Sequence, residues 1–388
     1  MIQHYRRSTR NRTRQGNFTR KKFSPFFSIL ICIFVLVSVV FGGYYYFPEV
    51  FVPKNKTDGI DVKFIKNQEL SIHFLELGNK TDGDCTFIKT GNTEVLIDAG
   101  SDYNSIPIIK NYLDQYIEDG IIEYVIVTHA HKDHYAGFAT PEGTESLFDI
   151  YNVETVIQFA LATEATMKND IYNNYINELN ELKDRCKTKI YTAQDCIAGT
   201  NGAQKKYSLS ASVDLEILDQ CFYRTVATTE NNHSVCCQVI QNQEKYYLFT
   251  GDLEKEGEES LIASNPTLNQ VDLYKAGHHG SNTSSTQALL SVINPKNIAV
   301  SCCAGGTKYN FPTQEFINRI AEHTTSVYIT TMYDDNQKTQ RSMNGNIVFY
   351  SNKTDTKINV ACSSNTTILK NTAWFKSHRN QPKKWSYA

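Results

Sequence analysis

From Ser71 onward the chain alternates short apolar, β-branched runs with longer amphipathic stretches. Ser71–Leu77, Cys85–Thr90 and Thr93–Asp98 read as strands, the last two joined across Gly91-Asn92, a hairpin signal. Ile106–Ile117 carries apolar residues at helical spacing, and Tyr124–Val127 is short, apolar and β-branched, a buried strand ending at Thr128. The spacing of Ile171, Tyr175, Ile176 and Leu179 predicts a helix near 166–186. A second set follows: strands at Val213–Leu218, Val235–Ile240 and Lys245–Thr250, helices at 254–263 and 283–292, and buried strands at Val271–Tyr274 and Ile298–Ser301. A helix at Thr313–His323 and strands at Val327–Thr331 and Gly345–Tyr350 finish the pattern. Strand clusters alternating with helices twice over predict an α/β domain over 71–352, with two sheets packed together and helices outside, a four-layer αβ/βα sandwich. Residues 48–70, with Pro48, Pro53 and Asn55–Gly59, read as a polar linker. The tail, 353–388, is polar and holds both tryptophans, Trp374 and Trp385; its pattern leaves open whether it is disordered or packs on the domain.

Ahead of this domain lies a different pattern. Phe26–Phe47 contains no charged residue, is long enough to span a bilayer core as a helix, and ends in Tyr44, Tyr45 and Tyr46, which suit the interfacial aromatic belt. A cleaved signal peptide is the alternative, disfavoured by the length of the apolar run and the lack of a clean small-x-small cleavage site. Residues 1–25 hold eight basic side chains and no acid, so the arm is expected in the cytoplasm and everything beyond about residue 48 outside, as in a single-pass membrane protein. Removing those eight leaves 31 basic against 41 acidic residues, so the body is strongly anionic and repels long polyanions. Of the ten cysteines, Cys32 lies in the apolar run. The other nine are an odd number that disulfides cannot exhaust, and no CxxC spacing occurs. The neighbours Cys236/Cys237 and Cys302/Cys303 fall in or beside strands, where adjacent side chains point to opposite faces and do not share a metal.

The chemistry concentrates in one segment, Thr128-His-Ala-His-Lys-Asp-His-Tyr-Ala-Gly137. The chain has ten histidines, yet His129, His131 and His134 fall within six positions, with Asp133 among them and a buried strand leading in. Neutral imidazoles and a carboxylate at this spacing suit zinc, and also manganese or iron. Asp252, in Thr250-Gly-Asp252 at the end of a strand, reads equally as a metal-bridging carboxylate or as an N-cap for the helix beginning near Glu254. His278 and His279 sit in a glycine loop after another buried strand. Asp98 also ends a strand, where a carboxylate accepting a hydrogen bond from a ligand histidine would fix its tautomer.

The order Asp98-Ala-Gly100, His129-Ala-His-Lys-Asp-His134, Gly251-Asp252 and His278-His-Gly-Ser281 resembles the metallo-β-lactamase superfamily. More narrowly it resembles the hydrolase domain of ComEC-type competence proteins, and it is similar to bacterial phosphorylcholine esterases. The resemblance covers about residues 70–350, and Leu77-Gly78, Gly83-Asp84, Tyr309-Asn-Phe-Pro312, Val327-Tyr-Ile-Thr330 and Gly345-Asn-Ile-Val348 extend it. It implies two zinc ions: His129 and His131 on one, Asp133, His134 and one of His278/His279 on the other, Asp252 bridging, and hydrolysis by water ionised at the metals. The histidine of that pair left over is expected to hydrogen-bond substrate or protonate the leaving group. Two departures stand out. The superfamily usually has a third histidine on the first metal. Here the matching segment is Glu230-Asn-Asn-His-Ser234, so His233 is expected either to restore the ligand or to line the pocket. Phe311 stands where ComEC-type proteins usually have histidine, and Asn310 beside it is expected near the substrate.

These features point to a membrane-anchored dinuclear hydrolase whose substrate is a phosphodiester: a small molecule, a cell-wall linkage or nucleic acid. A lactonase or β-lactam-type hydrolase, and a non-catalytic binding module on the same scaffold, are the alternatives. No feature of the sequence fixes an oligomeric state.

Overall fold

The computed structural model describes residues 59–78 and 82–386. The basic arm and the apolar run lie outside the described residues. Among those described, no helix is long and apolar enough to cross a membrane.

Sixteen strands form two eight-stranded sheets. In chain order they are β1 (Leu70–Phe74), β2 (Thr86–Thr90), β3 (Thr93–Ile97), β4 (Ile121–Val127), β5 (Asn152–Gln158), β6 (Lys189–Thr192), β7 (Lys206–Ser208), β8 (Val213–Leu218), β9 (Cys236–Gln241), β10 (Lys245–Phe249), β11 (Leu273–Lys275), β12 (Ile298–Ala304), β13 (Val327–Asp334), β14 (Thr339–Ser342), β15 (Ile347–Ser351) and β16 (Asn359–Cys362). The first sheet runs β16-β15-β1-β2-β3-β4-β5-β6 and the second β14-β13-β12-β11-β10-β9-β8-β7.

The alternation of side chains along a strand explains the layering. On β1, Phe74 faces the second sheet, its ring 6.4 Å from Phe249, while His73 faces outward onto Tyr112 of the helix Ser105–Leu113. On β10, Tyr247 and Phe249 join the inter-sheet core. Leu248 points the other way, into a cluster with Leu261, Leu289, Leu290 and Phe316 from the helices Lys255–Ser264, Gln287–Ile293 and Gln314–Ile320. The result is an α/β sandwich with helices on both outer faces.

Several expectations shift. Within the expected linker, Ile60 and Ile65 are buried and Asp61 caps a short helix, Val62–Lys66, by accepting from the Phe64 amide at 2.9 Å. The tail packs on the domain: β16 pairs with β15, and Trp374 and Trp385 are buried, Trp385 donating to the Thr324 carbonyl at 2.9 Å. β15 and β16 belong to the first sheet although they end the second run of strands. No disulfide forms among the described residues; seven of the nine cysteines there are buried.

Candidate metal centre

The candidate residues stand at the carboxyl ends of strands from both sheets. Asp98 follows β3, the histidine loop follows β4, Asp252 follows β10 and His278/His279 follow β11. β3 pairs parallel with β4, and β10 with β11, so within each sheet these ends open on the same edge. Two glycines let the loops meet backbone to backbone. A Cβ on Gly100 would lie 1.7 Å from the Asp133 carbonyl oxygen, and one on Gly137 2.5 Å from that of Ala99. The Ala99 amide donates to the His134 carbonyl at 2.7 Å, and the Gly137 amide to Ala99 at 2.7 Å. Asp98, His278 and His279 take positive φ (59°, 47° and 53°), the kind of strained backbone that concentrates at functional sites.

The outer partners leave one nitrogen of each key imidazole free. His134 Nδ1 meets Asp98 Oδ2 at 2.7 Å, and Asp98 also accepts from the Thr128 amide and hydroxyl. His279 Nδ1 donates to the Ser301 carbonyl on β12 at 2.8 Å. Their Nε2 atoms turn inward, His134 to 3.1 Å from Asp252 Oδ2 and His279 to 3.5 Å from Asp252 Oδ2 and 3.4 Å from Asp133 Oδ2. His134 Nε2, His279 Nε2 and Asp252 Oδ1 are buried without a hydrogen-bond partner. Such orphaned atoms are costly unless an ion satisfies them, so these residues fit a divalent metal. Beside them His129 Nε2 and His131 Nδ1 converge to 3.0 Å, a second pair of nitrogens suited to one ion.

Charge supports the same fit. Burial would raise the Asp252 pKa, but His134, His279 and His278 hold it well below the carboxylate range. Asp133 resists burial in the same way and is held down to about 2 by His279 and His134. Burial opposes protonation of His134 and His279, yet Asp252 with Asp98 raises the former well above 6.5, and Asp252 with Asp84 and Asp133 raises the latter to about 10. The carboxylates thus draw positive charge into the site. The same charge favours a divalent cation, which binds imidazole in its neutral form.

The two neighbouring histidines separate. His279 is buried within the Asp133/His134/Asp252 group. His278 is partly exposed, with Nδ1 3.0 Å from the Thr283 hydroxyl and Nε2 3.8 Å from Asp252 Oδ2. His131, Asp133 and His278 form the solvent-facing mouth. Asp252 is no N-cap: the residue preceding the helix Lys255–Ser264 is Glu254, and its side chain makes no capping bond.

Residues 78–140 match the Metallo-beta-lactamase superfamily. The chain is similar to ComEC-type proteins of that superfamily. It is 38% identical over 76 residues to Competence protein ComA of Neisseria gonorrhoeae (20% of this chain, 11% of the relative). It is 32% identical over 84 residues to ComE operon protein 3 of Bacillus subtilis (22% and 11%). It is 28% identical over 110 residues to Recombination protein 2 of Haemophilus influenzae (28% and 13%). The chain thus spans only 11–13% of the length of these curated relatives.

One expectation for this site is corrected. His233 neither completes a metal shell nor lines the pocket. It is fully buried, its Nε2 accepting from the Ala227 amide at 3.3 Å and its Nδ1 facing the Phe222 carbonyl at 3.2 Å, so both nitrogens are used in tying the 222–233 loop. The Asn310 side-chain oxygen accepts from Arg379 at 3.0 Å, in the loop that brings Phe311 to 5.6 Å from the His278 ring.

Asp84 is a residue whose role the sequence reading missed. Ligand-type atoms of Asp84, His134, Asp252 and His279 lie within 4.8 Å of one another. Asp84, however, approaches the Nδ1 side of both rings, 3.7 Å from each, and pairs with buried Lys275 at 2.5 Å. It therefore backs the imidazoles rather than facing the ion. Its sequence signal was the Gly83-Asp84 step alone; Lys275 comes from the other sheet.

Proposed function

We propose that this chain is a membrane-anchored hydrolase that uses two divalent metals, zinc or alternatively manganese or iron, to cleave a phosphodiester outside the membrane. The observation that carries the reading is the convergence of buried, unpartnered His134 Nε2, His279 Nε2 and Asp252 Oδ1 beside the His129/His131 pair. In this reading His129 and His131 would hold one ion, Asp133, His134 and His279 the other, and Asp252 would serve both. Bound divalent ions supply Lewis acidity and ionise water near neutral pH, and a pair of them suits in-line phosphoryl chemistry. Asp98 and the Ser301 carbonyl keep the His134 and His279 protons at Nδ1. His278, its pKa lowered by burial against the pull of Asp252, stands at the mouth as a neutral hydrogen-bonding group for the substrate.

The test is a hydrolysis panel on the full chain: bis-(p-nitrophenyl) phosphate, p-nitrophenyl phosphorylcholine, single- and double-stranded DNA and a lactone, with His131→Ala and Asp252→Ala as controls. Diester cleavage abolished by both substitutions supports the proposal. Faster turnover of the lactone transfers it to the lactonase alternative. Protein that purifies without chelator holding under one metal per chain, and rebinds none, is a binding module instead.

A further inference from the structure

The loop after β12 carries Lys308-Tyr-Asn-Phe-Pro312, and none of these side chains is used by the metal shell. β12 runs parallel to β11, so this loop leaves the second sheet at the same end as His278 and His279. Phe311 is buried, its ring 5.6 Å from His278 and lying at 30° to His279 with centroids 6.1 Å apart. Tyr309 stacks on Phe311, 5.5 Å between centroids and 11° between planes, yet is 58% exposed. Lys308 Nζ lies 4.8 Å from the Tyr309 ring centroid. A continuous aromatic path therefore runs from the metal-site histidines to solvent and ends on an exposed phenol ring with Lys308 Nζ over it.

This path is braced. Arg379, from the C-terminal segment, donates to the Asn310 carbonyl at 2.8 Å, to the Asn310 side chain at 3.0 Å and to the Pro312 carbonyl at 2.9 Å, while its guanidinium sits 4.7 Å from the Trp374 ring. An exposed aromatic held this way is preorganised: little further freedom is lost when a ring stacks on it.

We propose that Tyr309, backed by Phe311, is a stacking subsite for a planar ring of the substrate, with Lys308 beside it for the anionic group. The substrate class is then a short phosphodiester bearing a nucleobase or aryl ring. This rests on the phosphodiesterase reading above and names its substrate. Stacking on an aromatic side chain is tolerant of base identity, so the subsite selects for a ring and not for a sequence. The anionic body, 31 basic against 41 acidic residues beyond the basic arm, favours a short ligand over a long polyanion.

The experiment measures binding, so it does not depend on turnover. Thymidine 5′-phosphate, ribose 5-phosphate and phosphocholine are titrated calorimetrically into the full chain, its Tyr309→Ala variant and its Tyr309→Phe variant. Thymidine phosphate should bind the unsubstituted chain at least about tenfold more tightly than ribose phosphate, in keeping with the cost of removing a stacking aromatic. Tyr309→Ala should abolish that preference and Tyr309→Phe should keep it. Equal affinity for the two phosphates, a preference surviving Tyr309→Ala, no saturable binding of thymidine phosphate, or a Tyr309-dependent preference for phosphocholine each overturns the proposal. If the ring preference holds while no diester in the hydrolysis panel is cleaved, the subsite stands and the phosphodiesterase reading falls.

Discussion

His73 and His134 are both fully buried, yet their surroundings drive them in opposite directions. His73, on the outer face of β1, sits among Phe87, Tyr112 and Tyr116, with Nδ1 2.7 Å from the Tyr112 hydroxyl and Nε2 2.9 Å from the Ser71 hydroxyl. Burial, helped by Lys89, pushes its pKa down to about 3. His134 is buried as deeply, but Asp252 and Asp98 overcome desolvation and raise its pKa. Hydroxyls satisfy a neutral ring and leave nothing for an ion. A carboxylate on one nitrogen and an unpartnered site on the other make a ligand. The distinction lies in the charge around the ring, which neither burial nor residue type reports.

The largest test of this contrast removes the carboxylate on the metal side. Asp252→Ala should reduce bound metal to under one ion per chain and lower hydrolysis by more than the roughly 10–100-fold typical of an outer partner. Elemental analysis beside a rate assay checks both. Removing the outer carboxylate is the next step down: Asp98→Asn should weaken metal affinity about 10–100-fold with the circular dichroism spectrum unchanged, read by competition with a chromophoric chelator. Unchanged affinity there would break the proposed division of labour around His134. On the other side of the comparison, the His73 pKa is lowered on folding. Its contribution to stability is therefore fully present above about pH 6.5 and is lost as the pH falls from there toward about 3. His73→Gln should flatten the acid limb of urea denaturation in that window, by at most about 1.4 kcal/mol per pH unit, and leave metal affinity alone. The smallest effect on metal is expected from His233→Ala. It should cost about 1–3 kcal/mol of stability by leaving buried loop groups unpaired, while metal content stays that of the unsubstituted chain. A loss of metal in that variant would restore His233 as a ligand.

What could be read in advance follows from how local each feature is. The histidine loop is contiguous and preceded by a strand, so His129, His131, Asp133 and His134 were visible as a group. Asp98 was visible as a carboxylate ending a strand, a place that an ordinary turn would also have explained. The choice between His278 and His279 was not, since adjacent residues are equivalent in sequence and only the Ser301 carbonyl on β12 distinguishes them. His233 resembled a missing ligand because Phe222 O and Ala227 N, which occupy its ring, are backbone atoms with no sequence signature. The Asp84–Lys275 pair is formed across two sheets and has no spacing to betray it. Among the strands, β8 matched its predicted bounds and most long apolar runs did so within a few residues. β7 and β14 are short, polar edge strands and β16 a short edge strand, all dependent on their neighbours, and β5 buries Val153, Thr155, Val156 and Ile157 in a region read mainly for its helix.

One pairing has a consequence for how the protein is made. β1 opens the first sheet in sequence, but one of its edges is covered by β15, Ser71 lying opposite Tyr350, and β15 is covered in turn by β16. Emerging from a ribosome, the chain completes every metal-site residue through His279 while the outer edge of β1 still lacks its neighbour. That bare edge is a template for mispairing between nascent chains until the last strands arrive. Stop codons or nicks ahead of residue 345 are therefore expected to yield aggregation, rather than a shortened enzyme, even though every candidate ligand has already been synthesised.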